Sequence, residues 1–157
     1  MGILTVPDVS AALAAEFPEF RDELEDLDGL LHVQLGCLAR HTEAAIAAGD
    51  LQTLRRHLMF VDRVFARGDA FVRNAVGVSY LEHVFFTGPH GPQAEAFLSS
   101  RLREAWRDIH TYMERLAREA EHLQQGRDSD SRTRWKAPQT LRIAPWRSSR
   151  GSVGGSC

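Results

Sequence analysis

The clearest regularity along the chain is a run in which Leu51, Leu54, Leu58, Val61 and Phe65 recur at intervals of three and four residues. That spacing aligns one face of an α-helix. Arg55, Arg56, Asp62, Arg63 and Arg67 occupy most of the opposite face. Gly49 stops the preceding element and Asp50 caps this one, and Gly68-Asp69 repeats the same punctuation. Upstream, Leu31, Leu35, Leu38 and Ala45 mark a helix over about 30–48, with His41 and Thr42 beside the stripe. Nearer the start, Val9, Ala12, Leu13 and Phe17 follow helical spacing. Thr5 or Asp8 serves as cap, Pro7 fits the first turn and Pro18 ends the helix. A short acidic helix over about 19–26 and a turn at Asp28-Gly29 complete the first part.

The segment from Ala70 to Phe86 is apolar nearly all round. A helix apolar on every side is enclosed by its neighbours, so this one is expected at the centre of the assembly. Its polar positions, Asn74, Ser79 and Glu82, then become a structural polar core, with Glu82 paired to an arginine and Asn74 capping a neighbouring backbone group. Gly88-Pro89-His90-Gly91-Pro92 forces a loop. A long last helix over about 93–125 carries Leu98, Leu102, Ala105, Ile109, Tyr112, Leu116, Ala120 and Leu123 on one stripe. An apolar face on that helix leaves a homodimer open. After Gly126 the periodicity stops. Residues 127–157 are rich in Ser, Arg and Gly, with Trp135 and Trp146 isolated, and are expected to be a disordered tail. The fold expected is all-α: a single helical bundle of five to six helices over 1–126, followed by that tail.

Charge sharpens this picture. Residues 1–30 hold eight acids against Arg21 alone, a net of −7. Residues 31–126 carry eleven acids and eleven bases, and the tail is basic. The acidic domain repels phosphates, so no nucleic acid is expected for it. A run of about 18 apolar residues is lacking and the start has no basic secretory region, which argues against a membrane and for a cytoplasmic location. Cys37 lies inside a helical pattern, where it reads as a small buried residue, and Cys157 is the last residue. That pair does not read as a disulfide scaffold.

Candidate chemistry is sparse. The chain has no Gly-x-Ser-x-Gly elbow and no phosphate loop, and Cys37 has no identifiable oxyanion partner. Cys37 with His41, and His110 with Glu114, have i,i+4 spacing, but no second pair completes a metal site. The reading is therefore non-enzymatic, with no catalytic residues, no metal and no cofactor. The acidic residues Glu19, Asp22, Glu23, Glu25, Asp26 and Asp28 stand out instead as a docking surface for a basic partner, which such a patch attracts quickly and specifically.

Three segments carry a resemblance: Phe17-Pro18-Glu19, Phe60-Val61-Asp62, and the stretch from Asn74 to His83, which fits the pattern Asn-Ala-x-x-Val-Ser-x-Leu-Glu. Over residues 9–120 the chain resembles an uncharacterised family of small bacterial α-helical proteins, some of which accompany polymorphic or secreted toxins as immunity proteins. The resemblance implies an immunity or antitoxin protein that neutralises a cognate protein toxin by occlusion. The alternative is a small-ligand or metal-binding helical bundle around Asn74, Glu82 and nearby histidines.

Overall fold

Asp50 and Asp69 do what their positions predict. The Asp50 carboxylate accepts the Thr53 N–H at 3.1 Å, and Asp69 accepts that of Val72 at 2.8 Å. These caps start two of the seven helices in the computed structural model of the chain, which describes residues 2–134, with side chains for 2–125. The helices are α1 (Val6–Glu16), α2 (Arg21–Leu24), α3 (Leu31–Ala48), α4 (Leu51–Arg67), α5 (Ala70–Ser79), α6 (Gly91–Glu95) and α7 (Ser100–Arg134). Short 3-10 turns, Pro18–Phe20 and Glu25–Leu27, flank α2, so the acidic segment is three consecutive turns rather than one helix. No strand occurs among the described residues; one parallel bridge, Leu4 to Gly68, ties the start of the chain to the α4–α5 turn. None of these helices is long and apolar enough to cross a membrane.

The chain divides into two compact units, Met1–Ala117 and Arg118–Cys157. In the first, α3, α4 and α5 pack against one another and α1 lies on α3. Leu35, Leu38, Leu54, Val61, Val72, Ala75 and Val76 are buried where they meet, and Leu13 and Phe17 extend this core under α1. The second unit holds the α7 residues from Arg118 to Arg134. Most of the tail expected over 127–157, with Trp135 and Trp146, lies outside the described residues.

The readings of the last two long helices also require correction. The helix predicted over 70–86 is central but ends at Ser79, with a 3-10 turn at Leu81–His83 after it. The backbone beyond Ser79 is satisfied by distant side chains. Trp106 Nε1 donates to the Val84 carbonyl at 2.8 Å, His110 Nε2 to that of Leu81 at 3.0 Å, and the Phe85 N–H donates to Glu43 at 2.6 Å. The Leu81 carbonyl and the Phe85 N–H, which a helix running to Phe86 would pair with each other, are thereby paired across the fold. Nor is α5 enclosed on all sides, because Phe71, Asn74 and Val78 are exposed.

The last helix starts at Ser100, not near Gln93. Gly91–Glu95 forms a separate short helix, and Arg103 donates to the carbonyls of Glu95, Ala96 and Leu98, which closes the intervening turn. Ser99 accepts the Leu102 N–H and caps α7. The α7 stripe is buried at Leu102 and half-buried at Ala105 and Ile109, while Tyr112 and Leu116 are exposed.

Candidate functional site

The acidic edge is built on the turns of residues 18–28, and its six candidate carboxylates fall into two groups. Glu19 and Glu23 reach back onto the bundle. Arg56 of α4 donates to Glu19 at 3.0 Å, and Arg40 and His41 of α3 meet Glu23 at 2.7 and 3.2 Å. Hydrogen bonding from His41, with help from the Arg40 charge, holds the Glu23 carboxyl below the usual range. Glu16 does similar work, pairing with Arg63. By contrast Asp22, Glu25, Asp26 and Asp28 are exposed, with no ion pair among the described residues. Glu25 and Asp28 rim an open cleft of about 540 Å³ between α1 and the acidic turns. A buried hydrogen bond of 2.7 Å from Ser10 to Gln34 stiffens one wall of this cleft.

Asn74, Ser79 and Glu82 do not form a polar core. Asn74 is exposed, and Ser79 and Glu82 are half-buried. Ser79 is hydrogen-bonded to His32 Nδ1 at 2.7 Å. Neither the arginine expected for Glu82 nor the backbone group expected for Asn74 is there. The reason is geometric: a helical face is buried only where a neighbour covers it, and no helix covers this face of α5. Asn74 and Glu82 instead line a groove of about 570 Å³ that runs between α5 and α7.

The true polar core was missed by reading the sequence. It is Thr42 of α3, His57 of α4 and Tyr80 just after α5, all fully buried. The Thr42 hydroxyl donates to the Leu38 carbonyl at 2.8 Å. Its oxygen is then free only to accept, from the Tyr80 hydroxyl at 2.9 Å and from His57 Nδ1–H at 3.1 Å. This proton inventory assigns the Nδ1–H tautomer and leaves Nε2 as a bare acceptor, and that atom has no partner among the described residues. Burial pushes the His57 pKa down to about 4, so the ring is neutral near pH 7, and it raises that of Tyr80. Phe17 and Phe20 pack edge-on against the His57 ring. The signal was available: His57 falls between Leu54 and Val61 on the apolar face of α4.

Among the described residues no three His, Cys, Asp or Glu side chains converge to hold a metal ion. Cys37 is a half-buried free thiol rather than a fully buried one, and His41 turns to Glu23 and stacks on Phe20 at 4.0 Å. Together these features define a helical domain with a neutral, buried polar core, an acidic edge beside an open cleft, and an open groove between α5 and α7. Residues 10–115 match the family described as Domain of unknown function (DUF7674), which covers more than half of the sequence, and the chain belongs to that family. No curated protein and no solved structure matches the chain.

Proposed function

We propose that this domain is a non-catalytic binding protein, an immunity or antitoxin protein that occludes a cognate basic toxin. One observation carries the reading. Four carboxylates within seven residues, Asp22, Glu25, Asp26 and Asp28, project from a braced edge and are not neutralised by the fold. The ion pairs of Glu16, Glu19 and Glu23 fasten this edge to α3 and α4, so the free charges are held in position. Preplaced charge of one sign raises the association rate of an oppositely charged partner. An occluding inhibitor needs such a surface and no reacting group.

The test is co-purification of the untagged protein with the product of the neighbouring gene. A stoichiometric basic partner whose toxicity the protein suppresses is expected. Reversing Asp22, Glu25 and Asp26 to lysine then slows association by roughly tenfold or more and weakens its salt dependence, with thermal unfolding unchanged. A protein that purifies alone and protects against no neighbouring toxin overturns the reading. Unchanged association of the triple variant with a real partner removes this edge from it.

A further inference from the structure

The groove between α5 and α7 lies outside the acidic edge, so its role is independent of the toxin reading. Gly77 and Val78 of α5 face Ile109, Tyr112, Met113 and Leu116 of α7 across it. Eleven large apolar side chains are exposed among the described residues, and five of them, Phe71, Val78, Tyr112, Met113 and Leu116, are on α5 and on the stretch of α7 up to Ala117. Phe71 and Val78 stand two turns apart on the outer face of α5. Exposed apolar side chains gathered along one groove suit an interaction site. Its composition, aromatic and methionine with little charge at the centre, is that of an interface core.

The groove is a trough with walls on two sides, whereas small-molecule sites enclose most of their ligand. Its α7 wall runs from Asp108 to Leu116, about 12 Å of helix axis, which matches about two turns of an opposing helix. Near the Leu81–His110 hydrogen bond the trough also carries Glu82 and Asp108, and neither has an ion pair or hydrogen bond among the described residues. A second copy docked about a two-fold axis sets the same patch against itself and gathers four carboxylates beside two Arg115 guanidiniums, each 5.3 Å over a Tyr112 ring, an excess of negative charge that repels. A cationic partner meets Glu82 and Asp108 instead. We propose that this groove docks the apolar face of a basic amphipathic helix from a partner protein, with apolar anchors along the trough and Lys or Arg beside Glu82 and Asp108.

The probe is a short synthetic amphipathic peptide with leucines on one helical face and lysines on the other. It is titrated into the full chain and followed by amide resonances, beside a second peptide bearing glutamates for lysines. The lysine peptide is expected to shift Gly77, Val78, Tyr112 and Met113. The double variant Glu82→Lys, Asp108→Lys weakens it at least about tenfold, or about 1.4 kcal/mol, and strengthens the glutamate peptide. Met113→Ala, at an exposed position that leaves the core intact, weakens it too. The proposal is overturned if the lysine peptide does not bind, shifts only residues 22–28, or binds no better than the glutamate peptide. It is also overturned if the charge reversal has no effect, or if the groove signals move with protein concentration alone, which identifies a second copy as the occupant.

Discussion

The two faces of α5 treat polar groups in opposite ways. On the inner side Val72, Ala75 and Val76 are fully buried, and the polar side chains buried there are tied to one another, with His57 Nε2 left over. Thr42 joins Tyr80 and His57. On the outer side Phe71 and Val78 are about half exposed, and Asn74, Glu82 and Asp108 have no protein partner among the described residues. Burial explains the difference. A polar group out of reach of water must be paired within the fold, whereas one at the surface is satisfied by solvent and remains available to a partner. Substitutions on the inner side should therefore register in stability, and those on the outer side in binding.

Thr42→Val is the most direct way to break that contrast. It keeps the shape and removes the one oxygen that serves both neighbours. The Tyr80 O–H and the His57 Nδ1–H are left buried without an acceptor, at about 1–3 kcal/mol each. We expect a loss of about 2–4 kcal/mol in urea unfolding. Tyr80→Phe removes a donor rather than stranding one, and should lose only about 0.5–1.5 kcal/mol. Asn74→Ala on the outer face should stay within about 0.5 kcal/mol. If Asn74→Ala proves as costly as Thr42→Val, the two faces are not distinct.

Acid sharpens the comparison, since His57 belongs to the inner side. Its folded pKa is about 4 against an ordinary 6.5, chiefly because burial disfavours the charged ring, with the neighbouring Arg56 and His41 adding to the effect. Between those values the unfolded chain takes up a proton that the folded chain refuses. Stability therefore falls as pH drops through this window, by up to about 1.4 kcal/mol per unit, and levels off once the folded ring is itself protonated. Glu43, whose pKa is raised by burial, acts in the opposite sense nearer the carboxylate range. Urea midpoints at about pH 7 and about pH 5 should differ more for the wild type than for His57→Gln. Equal slopes would show that the ring is reached by water.

Which of these features could be read from the sequence depends on how local their causes are. Both ends of α4 were legible because Gly49-Asp50 and Gly68-Asp69 act on their own neighbours, and the observed helix is Leu51–Arg67. The end of α5 was not, because the groups that hold the following backbone, Trp106, His110 and Glu43, lie 22, 29 and 42 residues away in the chain. The position of His57 on an apolar face was legible, but its partner Thr42 comes from another helix. The acidic edge could be read as charge. Its division into braced and free carboxylates could not, since the arginines that brace it belong to α3 and α4. Exposure of Asn74 and Val78 turns on the absence of a covering helix, a property of the assembled bundle.

Two glycines give the finest probe. Gly49 ends α3 at φ +68°, and an added Cβ would lie 2.9 Å from the His90 ring, so Gly49→Ala should cost about 1 kcal/mol or more. Gly77 sits inside α5 in ordinary helical conformation, and an added Cβ would meet only Ile109 Cδ1, at the normal contact distance of 3.5 Å. There the alanine removes the entropic cost of a helical glycine and gains a contact. Gly77→Ala should therefore stabilise the protein by about 0.5–1 kcal/mol, seen as a higher urea midpoint at unchanged slope. A destabilised Gly77→Ala would mean that α7 lies closer to α5 than an open groove allows, and the outer face would then be a second sealed interface.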